Sequence, residues 1–287
     1  MEYKAPSSID EAVMLLAQAN GRAHVLAGGT DLLVQIRAGF TKPTLVVDVK
    51  NILELRTISV ADDGVCIGAA VTGAELGEHD AVKAAWPGLV EATELIGSTQ
   101  IQGRASLGGN LCNASPAADT VPALVAASAI CLIAGPNGQR EAPVEQIVTG
   151  PGQTSLKNSE FVVQFQLPKK LPRSADAYLR FIPRTEMDIA VVGAGVNLTL
   201  DKKGTCQQAR VALGAVAPTV LLVEAGAKAL IGSTLDDAAL DKLRAAASAA
   251  CNPIDDKRGT VEFRVDVAGV LAKRAALIAK QRAEMNG

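Results

Sequence analysis

Two pairs of adjacent glycines, each followed by polar groups, constrain this chain more than any other feature. The first lies in Leu26-Ala27-Gly28-Gly29-Thr30-Asp31-Leu32, the second in Ser106-Leu107-Gly108-Gly109-Asn110. Glycine lets the backbone approach another group closely and turns successive amides toward one point. Such a segment can hold an anion without a lysine. The same residues also read as ordinary turns between a strand and a helix. The second segment continues as Leu111-Cys112-Asn113-Ala114-Ser115-Pro116-Ala117-Ala118-Asp119. Two such loops can clasp the two phosphates of one pyrophosphate from opposite sides, with Asp119 accepting from ribityl or ribose hydroxyls. Asp119 also stands where a helix over residues 120–128 needs an N-cap, and the two roles are compatible.

Few other residues offer chemistry. Gly193-Ala194-Gly195 lies inside a strand pattern and opens no helix, so a dinucleotide fingerprint fails, and no phosphate-binding P-loop or G-x-S-x-G occurs. His24 and His79 are far apart, and His79, between Glu78 and Asp80, reads as part of a solvated face. Cys66, Cys112, Cys131, Cys206 and Cys251 include no C-x-x-C pair, so each reads as a small buried apolar residue of a reduced, cytoplasmic protein. No catalytic residue and no metal site is expected. The hard chemistry then falls to a phosphate-bearing cofactor.

Charge narrows the partners. Twenty-eight basic and 30 acidic residues leave a net charge of −2, and aromatics make up 3% of the 287 residues. With no basic stripe and few stacking groups, nucleic acid is not an expected ligand. The longest apolar stretch, 121–135, contains Pro122 and Ser128 and is too short to span a bilayer. The acids within residues 1–17 argue against a secretory leader.

Hydrophobic spacing gives a coarse fold. Ser8-x-x-Glu11 opens an amphipathic helix through Ala19. Strands are expected at 24–27, 44–49, 64–71, 130–134 and 161–167, and a helix over 81–96 interrupted at Pro87-Gly88. The segment Pro168–Pro172 reads as a boundary, dividing the chain into 1–172 and 173–287. Beyond it come strands at 177–182, 189–200 and 209–216, then helices near 240–251 and 264–282. The last places Val267, Val270, Leu271, Ala275 and Ile278 on one face. Strands and helices do not alternate regularly, so the class is α+β.

The two glycine segments, with Ala114-Ser115-Pro116 and Asp119, resemble the flavin loops of the molybdenum hydroxylases, the xanthine dehydrogenase and carbon monoxide dehydrogenase family. The likeness extends to Tyr3, Pro6 and Ser8, to Arg180–Ala190 with Arg184, Glu186 and Met187-Asp188-Ile189-Ala190, and to Phe263-Arg264, Gly269-Val270-Leu271 and Arg274-Ala275. It implies a two-subdomain FAD-binding fold of the vanillyl-alcohol-oxidase (PCMH) type, followed by a smaller α/β C-terminal domain. Within it, Val25, Leu26, Ala27, Gly28, Gly29, Thr30, Asp31 and Leu32 would wrap the pyrophosphate. Ser106, Leu107, Gly108, Gly109 and Asn110 would close it from the other side, with Ala114 and Ala117 on the turn that follows. Asp119 would hold the ribityl chain, Val162 would pack near the ring, Arg180 would place a cation close to the flavin, and Ile189 would cover the ring near its reactive nitrogen. Val162 and Ile189 also read as core residues, and Arg180 as a surface charge.

Thr30 stands where many two-loop flavoproteins carry a histidine, which implies noncovalent FAD. No cysteine insertion for an extra cluster is present, and Phe263-Arg264-Val265 departs from the tyrosine and second basic residue of relatives. The resemblance implies an electron-transfer subunit. A large partner would carry the molybdopterin cofactor and a small one the [2Fe–2S] clusters, paired as a dimer of heterotrimers. Two rival readings are a stand-alone FAD-dependent oxidoreductase, with Asp188 or Glu186 as acid or base, and a nucleotide-binding module without redox chemistry.

Overall fold

A computed structural model describes residues 1–286, and Gly287, the end of the expected second domain, lies outside the described residues. The chain opens with strand Glu2–Lys4 and helix Ile9–Gln18. Ser8 Oγ accepts from the Glu11 amide at 3.2 Å, but the Glu11 carboxylate accepts from Ser7 N at 2.9 Å instead of Ser8, so the box is half formed. Strands Ala23–Leu26 and Leu45–Asp48 complete a three-stranded parallel sheet with Leu45–Asp48 in the middle. Ala12, Leu16, Val47 and Ile52 form its core with Phe161 and Val163, which arrive from far along the chain.

A second sheet is antiparallel, in the order Ile58–Ala61, Gly64–Gly68, Phe161–Pro168, Ile130–Gly135, Gly138–Pro143. Its central strand buries five of its eight residues, the consecutive Phe161, Val162 and Val163 among them, which fits a strand covered on both faces. Trp86, Leu89, Leu107, Leu111, Leu124 and Phe165 fill the space against it. The helix expected over 81–96 divides into Asp80–Ala85 and Pro87–Glu94. Pro87 lacks an amide donor and so starts a new helix rather than continuing the old one. His79 is not merely solvated: its Nδ1 accepts from Val82 N at 3.4 Å and caps the first of these helices.

The third sheet, Ser174–Phe181, Val192–Leu200, Cys206–Gly214 and Leu221–Leu222, is antiparallel and is backed by helices Glu224–Leu230, Asp237–Ala250 and Val261–Met285. The strand expected from 189 begins at Val192, leaving 182–190 without regular structure. On the terminal helix the buried line is Ala268, Leu271, Ala272, Ala275, Ala276, Ala279 and Ala283. Leu271 and Ala275 belong to the expected face, and Val267 and Ile278 pack partly buried against the same core, but alanines take its fully buried centre. Small side chains let helix and sheet backbones approach, and a Cβ on Gly269 would stand 2.6 Å from Ser248 Oγ of the neighbouring helix.

Residues 169–173 carry no strand or helix and link the second sheet to the third. The halves they join are tightly packed. A Cβ at Gly88 would lie 2.7 Å from Asp176 Oδ2, and one at Gly195 would lie 2.7 Å from the Pro122 carbonyl oxygen. Helices Pro87–Glu94 and Thr120–Ala126 therefore rest directly on the third sheet.

Candidate functional site

Strand Ala23–Leu26 delivers the first glycine pair, and a polar anchor sets its exit. Lys50 Nζ donates to the Ala27 carbonyl at 3.0 Å and to Asp48 Oδ1 at 2.6 Å, while Tyr3 Oη donates to Asp48 Oδ2 at 2.6 Å. Gly28 then passes so close to the second loop that a Cβ would lie 1.9 Å from the Arg104 carbonyl oxygen. Gly29 has φ +77°, the left-handed region that favours glycine. Among the described residues, the amides of Gly28, Gly29, Thr30, Asp31 and Leu32 donate to no acceptor. The next, Leu33 N, returns to Gly29 O at 3.1 Å as helix Leu32–Arg37 begins. Consecutive free amides around a left-handed glycine form a concave nest for an anion.

The second segment is the start of helix Leu107–Cys112. Its amides are largely engaged: Gly108 N donates to Ala69 O at 3.0 Å and Gly109 N to Ser106 Oγ at 3.1 Å. This segment therefore contributes shape more than donors. A Cβ on Gly108 would press 2.6 Å from Ala69 O, whereas a Cβ on Gly109 would meet only Ser106 Oγ, at 3.3 Å. Asn110 Oδ1 accepts from Thr120 N at 3.1 Å and Thr120 Oγ1 at 2.6 Å, which turns its amide group toward other partners.

The two segments face each other across a cavity of about 350 Å³. Val25, Leu26, Ala27, Gly28, Gly29, Thr30, Asp31 and Leu32 line it on one side and Ser106, Gly109 and Asn110 on the other. A smaller, mostly apolar cavity adjoins it, sharing Val25, Ala27, Gly109 and Cys112 and adding Gly108 and Val162. A polar, amide-rich chamber opening on an apolar one is the donor set that a molecule with a diphosphate and a flat ring requires.

The other residues singled out from the sequence line neither cavity. Leu107 is buried behind the second loop, and Ala114, with φ +52°, is buried in the turn after it. Ala117 N donates to Ser115 Oγ at 3.2 Å. Asp119 precedes helix Thr120–Ala126, but its side chain caps nothing. Its Oδ1 accepts from Tyr178 Oη at 3.1 Å and its Oδ2 from Arg180 Nη1 at 2.9 Å. Burial pushes the Asp119 carboxyl up to about 6, with Arg180 and Tyr178 opposing the rise. Arg180 is no surface charge: its side chain is 4% exposed, and its Nε is buried without a partner among the described residues. Ile189 is exposed rather than part of a core.

Residues outside the expected set also line the larger cavity: His24, Gln35, Ile96, Ala105, Cys112, Asn113 and Gly152. Gln35 Nε2 donates to Asn113 Oδ1 at 2.9 Å, bridging the two loops. Gln35 lies one helical turn beyond Leu32, so helical spacing after the first loop was the signal for it. Ile96 and Gly152 come from remote segments and carry no local signal.

The family model for the FAD binding domain in molybdopterin dehydrogenase matches residues 1–170, and that for the CO dehydrogenase flavoprotein C-terminal domain matches residues 177–279. The carbon monoxide dehydrogenase medium chain of Hydrogenophaga pseudoflava is 34% identical over 275 residues, covering 96% of this chain and 95% of its own length. A putative xanthine dehydrogenase FAD-binding subunit of Escherichia coli K12 is 31% identical, over 95% of this chain and 93% of its own. Among solved structures, carbon monoxide dehydrogenase from Hydrogenophaga pseudoflava superposes with a TM-score of 0.94 at 34% identity, covering 98% of both chains. Quinoline 2-oxidoreductase from Pseudomonas putida 86 gives 0.90 at 27% identity, covering 99% of this chain and 98% of that one.

Proposed function

The chain belongs to the family of FAD-binding subunits of molybdenum-containing dehydrogenases, and from that premise we propose how its residues hold the flavin and where it stands in its complex. It is the flavoprotein subunit of an oxidoreductase that passes electrons onward. When bound, FAD supplies the chemistry, accepting electrons singly and giving them up in pairs.

The observation that carries the site assignment is the run of free amides from Gly28 to Leu32 facing Gly109 across one cavity. These amides bind the diphosphate, and the uncrowded Cα of Gly109 leaves room for it. Asn110 offers its amide group from the opposite wall. Thr30 stands in place of the histidine that would attach the flavin, so FAD is held noncovalently. Val162, Ala27 and Val25 give the ring an apolar seat in the adjoining cavity. Asp119 uses one lone pair on each oxygen for Tyr178 and Arg180, which leaves capacity to accept a ribityl hydroxyl. The family resemblance, rather than the lining of either cavity, brings the Arg180 cation and the exposed Ile189 side chain toward the flavin. Leu107, Ala114 and Ala117 shape the turn that carries Asn110 and Asp119.

The chain has no cysteines at [2Fe–2S] spacing. A small partner therefore holds the clusters and a large one the molybdopterin cofactor, in a cytoplasmic dimer of heterotrimers, with residues 1–172 as the FAD-binding domain and 173–287 as the C-terminal one. Among the described residues no helix is long and apolar enough to cross a membrane. One of the two acid or base candidates of the stand-alone reading is a poor base. Asp188 is held down to about 2 by the Ile189 amide and by Arg184 and Arg258, and so accepts a proton poorly near neutral pH.

The test is the visible spectrum of the purified chain with identification of acid-released cofactor. A two-band flavin spectrum and about one FAD per chain is the expected result, with molybdenum and iron co-purifying from the native source. Colourless protein that takes up no FAD would overturn the site, and substrate turnover by the isolated chain would overturn the complex.

A further inference from the structure

A separate cleft of about 270 Å³ opens where residues 168–171 leave the second sheet and meet the third. Trp86 and Ser128 line it on one side, Lys169 and Lys170 on the link, and Thr199 and Arg210 on the third sheet. Three of its lining residues are cations, and none is an aspartate or glutamate.

Two N–H groups bordering this cleft lack a protein acceptor among the described residues. Lys170 Nζ sits 3.6 Å from the Trp86 ring centroid and donates to Asp176 Oδ1 at 3.3 Å and Asn197 Oδ1 at 3.0 Å. Arg210 spends Nε on the Val125 carbonyl at 3.0 Å and Nη2 on Glu145 at 2.9 Å. Among the described residues its Nη1 has no acceptor, nor has the buried Nε1 of Trp86, a residue 1% exposed. Lys169 is exposed, and among the described residues its side chain forms no ion pair. The unpaired Trp86 N–H is buried and therefore costly, and the free Nη1 of Arg210 belongs to a side chain 30% exposed, so a ligand that brings acceptors suits this cleft.

We propose that the cleft binds a small oxyanion of the phosphate class at the seam between the two halves of the chain. A planar carboxylate offers acceptors in one plane, whereas the donors here come from three walls and suit a tetrahedral group. A bound anion touches both halves and so stabilises their packing by mass action. The site is separate from the glycine-lined cavity, sharing no lining residue with it.

Trp86 is the one tryptophan of the chain, so its emission reports this cleft directly. The full-length, FAD-loaded protein is titrated with potassium phosphate against potassium chloride at matched ionic strength, and equilibrium dialysis with labelled phosphate counts sites. One site per chain, saturating below about 10 mM without change in the flavin spectrum, is expected. Lys169→Gln weakens binding about fivefold. Ser128 has φ +58°, a conformation aspartate and asparagine tolerate. Ser128→Asp, which sets a negative charge in the cleft, weakens binding about tenfold or more, while neutral Ser128→Asn binds like the unaltered protein. The proposal is overturned if chloride reproduces the emission change, if dialysis finds no site, or if Ser128→Asp binds as tightly as before. Equal loss in both Ser128 variants also overturns it, because charge then plays no part.

Discussion

Arg180 Nη1 donates to Asp119 Oδ2 at 2.9 Å, joining a strand of the third sheet to the residue that opens helix Thr120–Ala126. Both side chains are largely out of water, at 4% and 10% exposure. Taking two charges out of water offsets much of their attraction, but removing one partner leaves the other charge buried alone. Arg180→Met is therefore expected to cost about 3–5 kcal/mol in urea unfolding, whereas Asp119→Asn with Arg180→Met together cost less than the sum.

The same pair sets a pH dependence. The folded state holds the Asp119 proton up to about 6, while an unfolded aspartate releases it near 3.8. Between those values the folded state binds more protons, so this group lowers stability as pH rises through the window and contributes a constant above it. Stability measured from pH 4 to 7 should fall less steeply, or rise more, in Asp119→Asn than in the unaltered chain. A curve of identical slope in both proteins would show that Asp119 does not titrate there.

The glycines of the two loops separate fold from binding. Gly28→Ala forces a Cβ to within 1.9 Å of a carbonyl oxygen and is expected to destabilise the chain by several kcal/mol, lowering its thermal midpoint with or without flavin. Gly109→Ala meets only Ser106 Oγ at 3.3 Å and improves helix propensity by about 0.5–1 kcal/mol. Its stability without flavin should hold while FAD released per chain drops. Full FAD occupancy in Gly109→Ala would place the diphosphate elsewhere.

Arg264 is 3% exposed and clamps the third sheet. Its guanidinium donates to the carbonyls of Val191 at 2.8 Å and Ala215 at 3.3 Å and to Asp256 Oδ1 at 2.7 Å. A lysine cannot reproduce this fork. Arg264→Lys is expected to cost about 2–3 kcal/mol in equilibrium unfolding, and Arg264→Ala more.

Both loops were legible in the sequence because local backbone requirements write them there. A left-handed position such as Gly29 and a point of close approach such as Gly28 each leave glycine as the residue that fits. The helix break before Pro87 was legible for the same reason, since a missing amide acts where it stands. The buried face of the terminal helix was only partly legible. Hydropathy favours Val267 and Val270, but the space between helix and sheet admits Ala268 and Ala272.

Sequence by itself determined the α+β class, the family and the two segments that bound the cavity, because glycine pairs, turns and apolar runs act through neighbouring residues. Tertiary structure alone decided which segment brings donors and which brings shape. The Gly28–Leu32 amides are free, while those of Gly108 and Gly109 are spent on Ala69 and Ser106. It alone also turned Asp119 away from a capping role and into a buried pair with Arg180, and gathered Trp86, Lys170 and Arg210 around one cleft. Desolvation and hydrogen-bond pairing depend on which distant groups fold against a residue, and no local spacing encodes that.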